Sequence, residues 1–497
     1  MEKNFISIVL AAAMLTGSIP LCSASAADII SGDVNGDGKL SISDVVMLSR
    51  YAGEDSSVKL TKPDNADVNQ DGTVDFGDAT AMLRRIARLP EYNTSENSGA
   101  SRNLMANITA NAPQTVAYSD AFKESQMDFS VKMLQEAAAL DQKGEKKNLL
   151  ISPTSAMYAL AMTANGAKGD TLKEMEAVLG GGMDISELNQ YLGSMRAGFE
   201  KNEKVMLTNA IWFRNQIDGI PFNPLESFLQ NNADFYGAGA QAAPFDLETN
   251  KEINAFVNEK TKGMIPQMVR EDKPMNEDMM MLLLNCLTFE SKWKTPYRNP
   301  MDIFEHDFTC YDGTVNVAQM MYSTESTYLE AENATGFIKP YAGDKYSFAA
   351  LLPDEGIDIF DFVADLDADS LLDTIKNAKE EPVYTYLPQF TYDDSIGLKE
   401  PLQNMGIELA FQFGGADFTG ITDMLPINIY DVQQKTFISV NSEGTKAAAA
   451  TAVFLGGGGV YIEHEVFLDR PFVYMILDNE TDLPLFIGTL MTAGEAK

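Results

Sequence analysis

Histidine is nearly missing from this chain: there are two in 497 residues, His306 and His464, alongside three cysteines and two tryptophans. Without a histidine pair at metal spacing, or a nucleophile with a histidine to serve it, the usual hydrolytic centres lack their parts. There is no HExxH, no GxSxG elbow and no carboxylate pair that stands apart from ordinary surface acids. His464 lies in Glu-His-Glu, and with no spaced partner it reads as the polar face of a strand rather than a metal ligand. Positive charge is scarce as well: 37 Lys and Arg stand against 72 Asp and Glu, a net charge of -35. Such a chain repels phosphate backbones and anionic lipid, which argues against nucleic acid and membrane surfaces as partners and for divalent cations.

Past the first residues no run is long and apolar enough to span a bilayer. Those first residues, MEKNFISIVLAAAMLTGSIPLCSASAAD, carry an early Lys, an apolar stretch from Phe5 to Leu15 and small residues at Ala24, Ser25 and Ala26. That is the build of a secretory signal over residues 1–27, cut near Ala26 or Ala27, and it predicts a secreted, extracellular protein. A lipid-anchor reading of Cys22 is weaker, because Leu21 stands where a small residue is needed. The two remaining cysteines, Cys286 and Cys310, sit in apolar, strand-like surroundings and are expected as free or buried thiols, not a disulfide. The length predicts two or three domains, and an apolar content of 45% supplies a substantial core.

What is present begins with a repeat. DVNGDGKLSISD from Asp33 and DVNQDGTVDFGD from Asp67 are self-similar, each with oxygen-bearing side chains at places one, three, five, nine and twelve and a glycine at place six. Calcium demands such an arrangement: six to eight oxygen ligands around a hard cation, with glycine where the loop turns sharply. The first loop offers Asp33, Asn35, Asp37 and Asp44, with Ser41 direct or through water and the Lys39 carbonyl. The second offers Asp67, Asn69, Asp71, Asp75 and Asp78 with the Thr73 carbonyl, so two calcium ions are expected. A helical pattern follows each loop, through Val45, Val46, Leu48 and Tyr51 and through Ala79, Met82, Leu83 and Ile86. The unit, residues 28–90, resembles the dockerin family, type I-like, whose members plug secreted proteins into cohesin modules of cellulosome scaffoldins. The resemblance implies a small all-α domain, calcium-dependent cohesin binding, and recognition through Ile42 and Ser43 in one repeat and Phe76 and Gly77 in the other. Those pairs differ, so the two faces are not expected to be interchangeable. Calcium in so small a unit must also hold the fold together. The polar stretch EYNTSENSGASRN, within residues 91–118, reads as a linker and disordered lead-in.

From about Leu104 onward helices and strands mix, an α+β pattern. FSVKMLQEAAAL from Phe129 and SAMYALAMTANGAKGDTLKEMEAVLG from Ser155 are helical by period, while VMLTNAIWF from Val205, MMLLLNCLTF from Met280, YSFAALLP from Tyr346, VYTYLPQFTY from Val383 and FVYMILD from Phe472 are strand-like. Several of these are apolar on both faces, as central strands must be. Ordered pieces across residues 119–497 resemble the serpin family: ISPTSAMYALAMTANGAKGDTLKEM, LTNAIWF, INAFVNEKTKGMI, LLNCLTFESKW, LPQF, LQNMGI, ADFTGI, NSEGTKAAAATAVFLGGGG and RPFVYMILDNETDLPLFIGTL. The resemblance implies a serpin fold of three β-sheets, about nine helices and an exposed reactive-centre loop. It implies a protease inhibitor rather than an enzyme, monomeric, that traps a serine or cysteine protease by loop cleavage and insertion. It places Ser152, Ser155 and Asn285 in the shutter beneath the main sheet, Trp293 at its breach, and Gln434 where many members have a histidine.

On the same resemblance, Gly444, Thr445, Ala447, Ala448, Ala449 and Ala450 form the loop's hinge. Alternation puts Thr445, Ala447, Ala449, Thr451, Val453 and Leu455 on one uncharged face and the single charge, Lys446, on the other. Ser442 and Lys446 both stand where the family usually has an acid, which would slow insertion. Counting from Gly444 puts the scissile bond at Gly458–Gly459, whereas counting back from Pro471 puts it near Val460 and Tyr461. No Arg or Lys lies between Thr451 and Asp469, so elastase-like or subtilisin-like targets are expected, with chymotrypsin-like ones open through Phe454, Leu455 and Tyr461. Together the two resemblances imply a secreted inhibitor docked on a scaffold that handles polysaccharide breakdown. The alternative is a serpin-fold binding protein that inhibits nothing.

Overall fold

The structure is a computed structural model that describes residues 31–53, 57–69, 72–86, 101–217, 220–276, 279–422, 424, 427–445 and 462–496. The chain divides into two compact units, Met1–Glu96 and Asn97–Lys497. In the smaller unit, two helices, Ile42–Ala52 and Phe76–Ile86, each follow one loop of the repeat. Their shared core is Val34, Val45 and Leu48 from one repeat and Ala66, Val68, Ala79 and Met82 largely from the other. Val34, Val45 and Leu48 recur 34 positions later as Val68, Ala79 and Met82, so the duplication is also a packing symmetry.

The larger unit has nine α-helices among the described residues and three main sheets, as the sequence predicts. One six-stranded sheet runs in the order Thr327–Ala331, Ala334–Pro340, Tyr346–Pro353, Phe472–Asp478, Leu483–Leu490, Leu149–Ile151. Its central strands, Tyr346–Pro353 and Phe472–Asp478, are buried at every position, which is why they read as unbroken apolar runs. A second sheet carries His464–Phe467, Val383–Pro388 and Val315–Glu325, the last also paired with Ile303–Thr309.

The largest sheet comes in two halves. Arg102–Asn103, Gly239–Ala243, Val205–Arg214 and Met281–Phe289 form one; Phe390–Gly397, Gln433–Val440, Gly444–Thr445 and Ser291–Lys292 form the other. They share the continuous segment from Met281 to Lys292. Helix Leu247–Lys260 covers the outer face of the first half, packing Ile253 and Val257 on Ala210, Trp212, Leu284 and Cys286. Helix Pro153–Ala164, buried at every position but Thr154, supports the inner face.

Three expectations change. The helical run from Ser155 breaks into Pro153–Ala164 and Gly169–Gly180, because the chain turns at Asn165 and Gly166. Gly166 has no room for a side chain: a Cβ there would sit 2.1 Å from Ile421 Cγ1. VYTYLPQFTY is two strands in two different sheets, divided between Pro388 and Phe390. The lead-in expected to be disordered is bound from residue 101 onward: Arg102–Asn103 pairs with Gly239–Ala243, Asn111 donates to Asp234, and Val116 pairs with Ser194. Its polar composition concealed these long-range partners. Cys286 and Cys310 are buried and free, as expected.

Asp478 closes the strand Phe472–Asp478 and accepts a hydrogen bond from the Glu480 N–H at 3.0 Å. Burial pushes its carboxyl from the ordinary 3.8 to about 6, an effect that the nearby Lys345 does not cancel. The folded state therefore holds this proton more tightly than the unfolded one, and its contribution falls as pH rises from about 4 through 6. Asp478→Asn should stabilise the protein at pH 7 by on the order of 1–2 kcal/mol and change nothing at pH 3.5. Denaturant unfolding at the two pH values measures this.

Candidate functional site

The defining feature is a missing neighbour. Met281–Phe289 is paired on one edge with Val205–Arg214, and Gln433–Val440 on one edge with Phe390–Gly397. Among the described residues no strand pairing joins the facing edges of Met281–Phe289 and Gln433–Val440, so the sheet holds a slot at its centre. Thr445 pairs with Val440 on one side and Ser291 on the other, and Gly444 pairs with Lys292. Asn441 and Gly444 exchange backbone hydrogen bonds of 3.0 and 3.3 Å, so the chain from Gln433 to Thr445 is a hairpin with one short arm.

Thr445 is 2% exposed, and its hydroxyl shares a 2.6 Å hydrogen bond with the Tyr341 hydroxyl. A threonine fits there because its one polar atom is satisfied; a charged side chain would be buried against an aromatic wall. Gly444 is required for close approach rather than for swivel: a Cβ would lie 2.2 Å from Ser291 O and 2.6 Å from Lys292 Cα. The remaining hinge residues expected from the sequence, Ala447, Ala448, Ala449 and Ala450, and the cleavage region Gly458, Gly459, Val460 and Tyr461, lie outside the described residues.

Trp293 stands at the head of the slot, 1% exposed and stacked on Tyr341 with ring centres 4.5 Å apart. Its indole N–H donates to Asn441 O at 2.8 Å, its backbone N–H to Glu443 O at 2.9 Å, and the Tyr297 N–H to Ser442 O at 3.0 Å. Three successive carbonyls of the turn are thus held from one side.

The expected shutter residues meet at the slot's lower half. The Gln434 amide accepts from the Ser152 N–H and donates to the Ser152 carbonyl, both at 2.9 Å. Ser152 Oγ donates to Leu485 O at 2.7 Å and accepts from the Ser155 N–H. Ser155 Oγ donates to Asn285 Oδ1, and Asn285 Nδ2 to Asn209 Oδ1. One helix N-terminus therefore binds strands on both sides of the gap: Asn285 on one, Gln434 on the other. None of these groups titrates between about pH 5 and 9, so with Gln434 in place of a histidine the cluster has no pH response of its own. Thr436 Oγ1 adds a bond to Leu150 O at 2.9 Å. Asn209, Tyr297 and Tyr341 were not legible as site residues, since each joins the site only through partners distant in sequence.

In the smaller unit, the first loop is preshaped by its own backbone. Asp44 accepts from the Val34, Asn35 and Ser41 N–H groups, and Asp33 from those of Gly36 and Gly38. Asn35 and Asp37 accept from the Asp37 and Lys39 N–H groups. In the second, Asp78 accepts from Val68, Asn69 and Asp75, and Asp67 from Gly72. Gly38 and Gly72, the sixth residues, have φ of 85° and 88°, where a side chain would be strained. With the carboxylates turned onto backbone N–H groups, no three of them gather into a metal-holding cluster among the described residues, and Asp71 lies outside those. The donor set still fits calcium: all its side-chain groups are hard oxygens, and Asp67 Oδ1 is buried without a partner, an orphan that a cation would satisfy. Ile42 and Phe76 are each 55% exposed, unusual for large apolar side chains, and Ser43 is exposed beside Ile42. Gly77 lies in the helix Phe76–Ile86.

His464 is no metal ligand here: it stacks on Tyr328 at 4.0 Å and meets Glu381 at 2.8 Å. Among the described residues no hydrolytic constellation forms, and the larger unit is built around a sheet with two facing strand edges left unpaired. The chain belongs to the serpin family: the profile of Serpin (serine protease inhibitor) matches residues 124–493, and that of the Dockerin type I domain matches residues 31–87. An uncharacterized serpin-like protein of Thermococcus kodakarensis is 32% identical over 70% of this chain and 81% of its own. Human neuroserpin is 27% identical over 76% of this chain and 93% of its own. Among solved structures, the native state of the thermophilic serpin tengpin matches with a TM-score of 0.73 and 38% identity, over 79% of this chain and 99% of its own. The chain thus joins a family of protease inhibitors, not enzymes, to a domain whose family docks to cohesins.

Among the described residues the smaller unit buries a core of seven apolar side chains, too small to hold two helices alone. Chelating calcium should abolish hydrogen-exchange protection in Ile42–Ala52 and Phe76–Ile86 and leave that of Tyr346–Pro353 unchanged; retained protection in both helices would show that calcium is not structural.

Proposed function

We propose that this protein is a secreted suicide inhibitor of serine proteases, docked through its calcium-loaded dockerin to a cohesin module of a cellulosome scaffoldin. One observation carries the reading: at the head of the slot Thr445 pairs with Val440 on one side and Ser291 on the other, as the first residue of a strand between those two walls would. Cleavage beyond the hinge frees the chain to continue down the slot. The register, extended two residues at a time, sets Ala447 between Ile438 and Phe289, Ala449 between Thr436 and Leu287, and Thr451 between Gln434 and Asn285. Small alanines pass through the narrow part, and the first hydroxyl to arrive meets the polar shutter. On the opposite face the same register brings Lys446 beside Glu290 and Ser439, so the lysine that departs from the family's acid gains a carboxylate on insertion.

About 14 inserted residues at roughly 3.3 Å each carry the cut end on the order of 45 Å. New pairing on two edges, at about 1 kcal/mol per net hydrogen bond, releases on the order of 10 kcal/mol, comparable to the stability of a domain. A protease still acyl-linked to the cut end is dragged along and distorted before water can release it. With no Arg or Lys between Thr451 and Asp469, elastase-like or subtilisin-like enzymes are the targets, cutting within Gly458 to Tyr461. The calcium ligands are Asp33, Asn35, Asp37, Ser41 and Asp44 with the Lys39 carbonyl, and Asp67, Asn69, Asp71, Asp75 and Asp78 with the Thr73 carbonyl, one ion per loop. The cohesin reads Ile42 and Ser43, or Phe76 and Gly77.

Incubation with pancreatic elastase or subtilisin should give a protease–inhibitor complex that survives denaturing electrophoresis. Plain cleavage with the protease left active would instead assign a non-inhibitory, binding role. In the same preparation, capture by an immobilised type I cohesin should require calcium, and capture that persists in chelator would refute the docking assignment.

A further inference from the structure

Beneath the turn at the head of the slot lies an ion pair in an unusual place. Lys339 and Glu325 meet at 2.5 Å with side chains only 1% and 8% exposed. The ammonium sits 4.4 Å from the ring centre of Tyr297 and 5.4 Å from that of Trp293. Ser323 Oγ donates to Glu325 at 2.6 Å, lies 3.3 Å from the Tyr297 hydroxyl, and shares a bond with Thr385. Burying two charges costs several kcal/mol before their attraction is counted, and apolar residues of the same volume usually pack at least as stably. Stability therefore does not explain the pair. Its location suggests what does: Trp293 and Tyr297, the two rings lying on the ammonium, belong to the residues whose N–H groups hold the carbonyls of Asn441, Ser442 and Glu443. The lysine was visible in the sequence as a lone cation in the apolar strand Ala334–Pro340.

We infer that the Glu325–Lys339 pair is a positioning element for strand insertion, fixing Trp293 and Tyr297 so that the turn Asn441–Gly444 stays seated while the strand grows from it. The inference rests on the insertion reading above. A cation between two ring faces restrains their tilt more sharply than a methylene chain does, because the attraction is strongest over the face. A loosened turn lets Thr445 leave the head of the slot and slows every later pairing step.

Trp293 is one of only two tryptophans, so Trp212→Phe leaves it as the sole tryptophan, excited selectively over the tyrosines at the red edge of the absorption band. In that full-length background, excess subtilisin cuts the loop in a stopped-flow mixer, and quenched gels time the cutting separately. Lys339→Met should slow the Trp293 fluorescence change by about tenfold relative to the parent at equal cutting rate. Because the single variant strands a buried carboxylate and can fail to fold, the double variant Glu325→Gln, Lys339→Met decides the matter. A purely structural pair predicts that the double variant regains both the parent's melting temperature and its insertion rate. A positioning pair predicts a regained melting temperature with insertion still about tenfold slow. A double variant that inserts at the parent rate overturns the inference alone. A parent whose Trp293 signal stays constant after complete cutting overturns the insertion reading and the inference with it.

Discussion

Two strands, Met281–Phe289 and Gln433–Val440, whose facing edges are joined by no pairing among the described residues, govern the larger unit. Backbone N–H and C=O groups in a sheet must be paired, hydrated or covered. Along Met281–Phe289 and Gln433–Val440 the pairing stops at Thr445, and the chain that would continue it is the segment immediately following. The surrounding parts can be understood as responses to these unpaired edges. Helix Pro153–Ala164 presents Ser152 and Ser155 at its N-terminal end, where they bond across the gap to Gln434 and Asn285. On the outer side, Lys435 donates to Gln267 O at 2.7 Å, tying one slot strand to the segment after helix Leu247–Lys260. Trp293 and Tyr297 hold the turn that starts the missing strand. Each contact is modest, and together they hold the sheet short of its most complete pairing.

The dockerin unit solves the opposite problem. Among the described residues its buried core is small, and in our proposal oxygen ligands around calcium would supply what apolar burial does not. Its two repeats bury equivalent residues yet expose different large apolar ones, Ile42 in one and Phe76 in the other. On the proposed reading, a duplicated fold with unlike faces would keep two docking chemistries on one small scaffold, and calcium would also neutralise local carboxylate repulsion at the loops of a strongly acidic chain.

Most of the architecture was legible because it is written in local patterns. The calcium loops announce themselves by oxygen side chains at fixed spacing and by Gly38 and Gly72, and the central strands by unbroken apolar runs such as YSFAALLP. Ser152, Ser155, Asn285 and Trp293 were found through family motifs, and the structure gathers the first three at the shutter and sets Trp293 at the head of the slot. What escaped notice depends on chain-distant contacts. The strand Arg102–Asn103 is invisible in a polar linker because its partner, Gly239–Ala243, lies far along the chain. Tyr341 meets Thr445, and Glu325 meets Lys339, only once two sheets are folded together. The close approach that Gly444 makes to Ser291 and Lys292 likewise appears only in the folded sheet.

The central claim is that the sheet lacks a strand that the chain itself can supply. The direct measurement is the thermal unfolding midpoint of the larger unit before and after a single cut between residues 446 and 461, with both fragments retained. Insertion of the freed strand predicts a rise on the order of 20 °C, from about 10 kcal/mol of new pairing spread over a unit of this size. A midpoint that is unchanged or lower after the cut would contradict it.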